Sequence, residues 1–291
     1  MRSRLLIYMG LVLIAIIWGV GLVPLRLGVD YLGPAAFNAL RFAFAAVTLV
    51  PVLALNHEID RKVMLDRSTL LIAFVLGGLL FGGASFQLVS LRYTSLANVA
   101  FITAMYVTIV PAIGFFIGYK YRALIWAGVA LAIVGLYLMA DLDSALMLRG
   151  DVFALIGALF WAIHLLVLAK WAAGLNRLVL VFYSFVFCAL ISLLVATLAE
   201  ESLLPGAPLG YLWPLLNGVV VIGLCYTLQV LMMEFAEVFA ASMILSLFSV
   251  FAAIAGYFVF GEQLAMTAML GAALILGGCL LAQWPKARAW Q

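Results

Sequence analysis

Residues 5–25 read LLIYMGLVLIAIIWGVGLVPL, an unbroken run without one charged side chain. At a rise of about 1.5 Å per residue, a helix of that length crosses the roughly 30 Å hydrocarbon core of a bilayer. The run is too long for the apolar core of a signal peptide and no small-residue cleavage site follows it. The basic start Met1-Arg2-Ser3-Arg4 therefore predicts a first spanning helix, with no leader. Working outward, charge-poor windows of similar length recur at 33–55, 69–91, 95–118, 123–140, 152–170, 178–199, 211–233, 238–260 and 266–284. With the first, taken as 5–27, they predict an all-α integral membrane protein of ten transmembrane helices. The connections are short and carry breakers such as Gly33-Pro34 and Pro205-Gly206-Ala207-Pro208, so none can hold a soluble domain.

Composition points the same way. Of 291 residues 68% are hydrophobic and 9% charged, whereas a soluble domain is about half apolar and about a quarter charged. Fifteen Lys and Arg with twelve Asp and Glu cannot cover a water-facing surface of this size, so lipid must cover most of it. Cys188, Cys225 and Cys279 lie inside apolar windows without metal-ligand spacing and read as small core hydrophobes. No metal, cofactor or nucleic-acid partner is expected. The expected partners are the bilayer and a small-molecule substrate; a homodimer is compatible, but one chain suffices.

The basic residues divide unevenly between the two faces this count defines. Arg2, Arg4, Arg61, Lys62, Arg67, Lys120, Arg122, Lys170, Arg177, Lys286 and Arg288 fall on one, and Arg26, Arg92 and Arg149 on the other. By the positive-inside bias both termini face the cytoplasm. The halves also echo each other at a near-constant offset: Trp18 and Trp161, Phe42 and Phe185, Gln87 and Gln229, Phe115 and Tyr257, Gly135 and Gly278. Five helices per copy turn the second copy upside down, which predicts inverted repeats over 1–140 and 150–285 with a solute site between them near mid-membrane.

The stretch Leu91-Arg92-Tyr93-Thr94-Ser95-Leu96-Ala97-Asn98-Val99-Ala100-Phe101-Ile102, followed by Pro111, resembles a signature of the drug/metabolite transporter superfamily in its EamA-type branch. Glu237-Val238-Phe239-Ala240-Ala241-Ser242 through Phe260-Gly261-Glu262-Gln263-Leu264 resembles the same signature again, and Trp18-Gly19 and Leu40-Arg41-Phe42 fit as well. The resemblance covers nearly the whole chain. It implies ten helices around a central cavity, helices 5 and 10 at the periphery, location in a cell membrane (the inner membrane in a bacterium) and export of amino acids, metabolites or drugs. One position departs: the first copy ends Gly118-Tyr119-Lys120, where the family usually carries a glutamate, as in Gly261-Glu262.

Polar groups inside hydrocarbon are costly unless paired or wet, so each is a candidate for the pathway. Arg41, some eight residues into helix 2, suits a carboxylate or phosphate on a solute; the alternative is a structural bond to neighbouring carbonyls. Asn38, one turn earlier, extends the stripe. Gln87 and Gln229 either face one cavity from both copies or bond helices together. Trp18, Trp161 and Tyr183 offer an aromatic wall, against ordinary core packing. Tyr106 and Tyr226 read as packing. His164, one turn after Trp161, is the one histidine in a span and a candidate proton carrier. Ser242 and Ser246 complete the substrate-binding set, with close helix packing as their alternative. No acidic residue is expected deep in a helix, and Pro111 is the expected hinge of helix 4.

No phosphate-cradling glycine loop and no zinc or nucleophilic triad pattern is present, so neither ATP-driven transport by this chain nor an enzyme is expected. The expected function is secondary transport of small metabolites by alternating access, foremost efflux of aromatic or apolar amino acids or similar amphipathic solutes. A multidrug or cationic-compound exporter and a lipid-linked headgroup flippase are the alternatives.

Overall fold

The computed structural model describes residues 2–56, 59–116, 123–139, 145–172, 174–200, 202–232 and 244–283. Among the described residues every regular element is helical. A chain this apolar has no solvent partner for its backbone in lipid and closes its hydrogen bonds internally. In order the apolar helices are α1 (Leu6–Gly28), α2 (Pro34–Leu55), α3 (Arg67–Ser90), α4 (Leu96–Phe116), α5 (Ala123–Met139), α6 (Ala145–Trp171), α7 (Arg177–Ala199), α8 (Leu209–Met232), α9 (Ile244–Phe260) and α10 (Met266–Leu281). Seven are long and apolar enough to cross a membrane; α5, α9 and α10 are shorter. Large apolar side chains such as Phe116, Leu198, Phe258 and Met266 stand exposed on the outside, as a lipid-facing surface requires.

Helix starts follow local chemistry. Asp66 accepts from Thr69 N at the start of α3, Ser95 from Asn98 N at α4, and Asn176 from Leu178 N and Val179 N at α7. Each takes a donor that a first turn leaves unmet. One start corrects the expectation. α6 begins at Ala145, not 152, and takes in Arg149 and Asp151. Arg149 lies over the rings of Tyr93 and Phe153, at 4.9 and 5.6 Å. Asp151 is buried and accepts from Thr94 Oγ1 at 2.8 Å and Asn98 Nδ2 at 3.2 Å. A charge with such partners need not mark a loop, so an acidic residue does sit within a helix.

Four helices are interrupted. α1 breaks at Gly21, α4 at Met105 and α9 at Leu247. The α4 break precedes the expected hinge Pro111, and there the Thr108 hydroxyl donates to the Met105 carbonyl at 2.8 Å, a bond that competes with the helical ladder. In α9 Ser249 donates likewise to the Ser246 carbonyl at 3.0 Å. α8 is a π-helix over Asn217–Tyr226, just past Pro214, which lacks the N–H of a regular ladder.

α2 packs on α7 and on the π-helix, α3 on α6 and α7, α1 on α9, and α4 on α6 and α9. α5 and α10 lie along each other, and a Cβ at Gly271 would come within 2.6 Å of the Gly135 carbonyl oxygen, so only glycine permits that approach. One end of the bundle, called distal because it lies opposite the start of α1, is laced by long-range bonds. Glu200, just past α7, accepts from Ala35 N and Ala36 N, both at 2.8 Å. Glu262, turned back by the left-handed Gly261, accepts from Leu96 N at 2.8 Å and Ala97 N at 3.3 Å. Arg92 donates to the Val29 and Leu32 carbonyls. Beneath lies an apolar plug that includes Leu25, Val29, Leu32, Leu91, Leu96 and Val99.

Candidate functional site

Below that plug a cavity of about 110 Å³ opens between the helices, room enough for a small solute in place of water. Its lining arrives in pairs. Trp18, Gly21, Leu22 and Leu25 of α1 recur at the same spacing in the second half as Trp161, His164, Leu165 and Leu168 of α6, and all eight line it. That spacing is i, i+3, i+4 and i+7, one helical face. Gln87 pairs with Gln229 and Tyr106 with Phe248 by the same repeat relation, and these four also line it.

The remaining lining is unpaired and holds the one charged side chain described there. Arg41 from α2 has no counterpart in the lining, since the matching residue of the second half is Ser184, which donates to the Leu180 carbonyl of its own helix. Asn217, Val221, Ile222, Tyr226 and Val230 come from α8, whereas α3 supplies only Gln87. The steps of four and five between 217, 221 or 222, and 226 are those of i→i+5 bonding. A regular helix would instead bring 224 or 225 to this face. The π-helix thus aims Asn217 and Tyr226 inward together.

Arg41 is 2% exposed and donates from Nη1 to Asn217 Oδ1 at 3.2 Å. Asn217 in turn donates from Nδ2 to the carbonyl of Gly21, the residue at the break in α1, at 2.9 Å. This relay joins α2, α8 and α1 and holds the guanidinium at the wall. Its carbon lies 5.0 Å from the Phe42 ring centre, and its Nε is buried without a partner. The indole Nε1 atoms of Trp18 and Trp161 are also buried and unpartnered. Tyr226 Oη and His164 Nε2 share a hydrogen bond of 3.2 Å. Aromatic contacts then run from Trp161 through His164, Tyr226 and Phe185 to Phe42 at centroid separations of 5.5 to 6.2 Å. No Asp or Glu lines the cavity among the described residues.

Of the residues singled out from sequence, Trp18, Arg41, Gln87, Trp161, His164 and Gln229 meet here. Three others lie elsewhere. Asn38 is buried and donates to Ser85 Oγ at 2.9 Å, joining α2 to α3. Tyr183 packs beside Phe182 and Phe187, on a face of α7 turned from the cavity. Ser246 is fully buried at the α9 break, outside the lining. Ser242 and Lys120 lie outside the described residues. Sequence reasoning missed Asn217 and undervalued Tyr226 and Tyr106; an amide beside a glycine in an apolar run was the available signal for Asn217.

The description EamA-like transporter family matches this chain over residues 5–140 and 148–284. Two relatives from Archaeoglobus fulgidus, each named an uncharacterized transporter, are similar. One is 31% identical over 62% of this chain, and this chain spans about half, 54%, of that relative's length. The other is 29% identical over 66% of this chain and 69% of its own. A solved crystal structure of a protein matches with a TM-score of 0.67 at 19% identity, covering 96% of this chain and 97% of that one. It shares the fold.

Proposed function

From the premise that the chain belongs to the EamA-like transporter family and is a multi-pass membrane transporter, we propose that it carries small amphipathic metabolites through the cavity by alternating access, without ATP. All ten apolar helices cross the membrane in this reading, as two upside-down copies of five over 1–140 and 150–285. Both termini lie in the cytoplasm, the membrane being the inner one of a bacterium, and the distal end faces outside. Transport is efflux, of aromatic or apolar amino acids and similar solutes with an acidic head and an apolar body.

The observation that carries this reading is the cavity's make-up: matched faces from two halves enclosing one buried arginine, with no carboxylate among the described lining. Such a cation costs free energy until an anionic group meets it, which also argues against the cationic-compound exporter. The plug and the carboxylate bonds close the distal end, while Leu168, Gln229 and Val230 extend the lining toward the other. That arrangement supports a carrier loading from the cytoplasm.

Counterflow in proteoliposomes tests it. Labelled phenylalanine or leucine should exchange saturably without ATP, and Trp161→Ala should lower that flux about tenfold or more. Absent exchange, with movement of a lipid-linked headgroup in its place, would favour the flippase.

A further inference from the structure

Three of the side chains that line the cavity carry a buried donor without an acceptor. These donors are Trp18 Nε1, Trp161 Nε1 and Arg41 Nε, and neither an indole nor a guanidinium can accept a hydrogen bond. Native proteins rarely leave several such donors orphaned around one space. The one acceptor beside the guanidinium, Asn217 Oδ1, is already taken, and its amide nitrogen is fixed on the Gly21 carbonyl. Asn217 therefore cannot turn over to offer a new acceptor without giving up both bonds. Gln229 carries a donor and an acceptor on one amide and so sets no sign. The only fixed charge in the described lining is positive.

A ligand completing this set brings acceptors and negative charge. A carboxylate does both, since its two oxygens match the planar fork of an arginine and the donor directions of flanking N–H groups. An ammonium would meet aromatic faces but no carboxylate in the described lining, in the field of Arg41. The walls suit a flat apolar body: Trp18 meets Phe248 edge to face at 6.4 Å, and Trp161, His164 and Tyr226 continue the aromatic surface. A zwitterionic amino acid would have to strip water from an ammonium that finds no counter-charge in the described lining.

We propose that the cavity selects an aromatic or apolar monocarboxylate anion that lacks an amino group, in preference to the matching amino acid and against the matching amine. Trp18, Trp161 and Arg41 supply the specificity. The inference rests on the reading that this cavity is the transport site.

Three probes with one body and different charge test it: 3-phenylpropanoate, phenylalanine and phenethylamine, titrated calorimetrically against the purified full chain and then used as competitors in proteoliposome flux. Phenylpropanoate should bind about tenfold or more tighter than phenylalanine, the measure of one uncompensated charge, and phenethylamine should not compete. Arg41→Gln should abolish the preference. Should that variant fail to fold, Trp161→Phe and Trp18→Phe, which keep an aromatic ring and delete one N–H, should each weaken phenylpropanoate about three- to tenfold and leave phenylalanine less affected. Equal or tighter binding of phenylalanine or the amine, still sensitive to the tryptophan variants, would overturn the anion preference but keep the cavity as the site. Binding insensitive to all three variants would overturn the transport reading of the cavity as well. Failure of all three probes to bind would overturn the anion assignment.

Discussion

The two ends of this bundle are held in different ways. At the distal end residues of the second half reach into the first: Glu200 onto the start of α2, Glu262 onto the start of α4, and Asp151 onto Thr94 and Asn98. At the opposite end two helix starts are capped from within, α3 by Asp66 and α7 by Asn176, and Arg177 Nη1 donates to the Val230 carbonyl. A cap within one helix stabilises that helix and is indifferent to the neighbouring half. A carboxylate crossing between halves stabilises one arrangement of the two. The distal end therefore carries free energy that any outward opening must give up, and α2 and α4 present the positive ends of their dipoles to those carboxylates.

The largest test of that contrast removes both crossing caps. Glu200→Ala with Glu262→Ala leaves four backbone N–H groups without charged partners, at about 1–3 kcal/mol each when they stay buried. A cysteine replacing Leu25, in a chain otherwise free of cysteine, should then react with a membrane-impermeant maleimide from the distal side about tenfold faster or more. Unchanged reactivity would mean that the apolar plug alone closes this end. Glu200→Gln and Glu262→Gln keep an acceptor and remove the charge, so each alone should raise it only a few-fold, on the order of 1 kcal/mol.

Sharpening runs the other way. Lys120 holds the place in the first copy that Glu262, with its crossing carboxylate, holds in the second. By the repeat relation Lys120→Glu should create a crossing cap at the opposite end. The expected outcome is a two- to fivefold slower exchange, about 1 kcal/mol of bias toward closure at that end, with easier labelling from the distal side. Faster exchange would show that the position acts otherwise.

Much of the fold was legible in sequence, and this contrast was not. Lipid demands long apolar runs, so the described helix positions could be read within a few residues, except where Arg149 and Asp151 found partners inside the protein and continued α6; the expected start of the ninth window, 238–243, lies outside the described residues. The same demand makes both faces of a helix apolar and erases the periodicity that marks an inward face in a soluble protein. Trp18, Trp161, Gln87 and Gln229 were found because two copies repeat them. Tyr183 has no such mate and lies outside the lining. Asn217 and Tyr226 were lost because a π-helix steps past the 3.6-residue period on which a helical reading relies. The crossing role of Glu200 and Glu262 depends on helix starts in the other half of the chain, which no local spacing announces.

The smallest effect belongs to a local cap and sets the baseline for the rest. Thr69 donates to the Asp66 carboxylate from its backbone N–H at 2.7 Å and its hydroxyl at 2.8 Å, and these bonds hold that carboxyl below its usual value. A carboxyl depressed in the folded state adds stability above its unfolded pKa, near 4, and that stability is lost as pH falls through the lower folded value. Asp66→Asn should thus lower the thermal midpoint slightly at pH 7, and the gap to the parent protein should close on acidification below about pH 4. Because the described bonds of the Asp66 carboxylate go only to the first turn of its own helix, cysteine labelling from the distal side should not change. If it rose as far as in the Glu200 or Glu262 variants, the distinction between caps within a helix and caps across halves would fail.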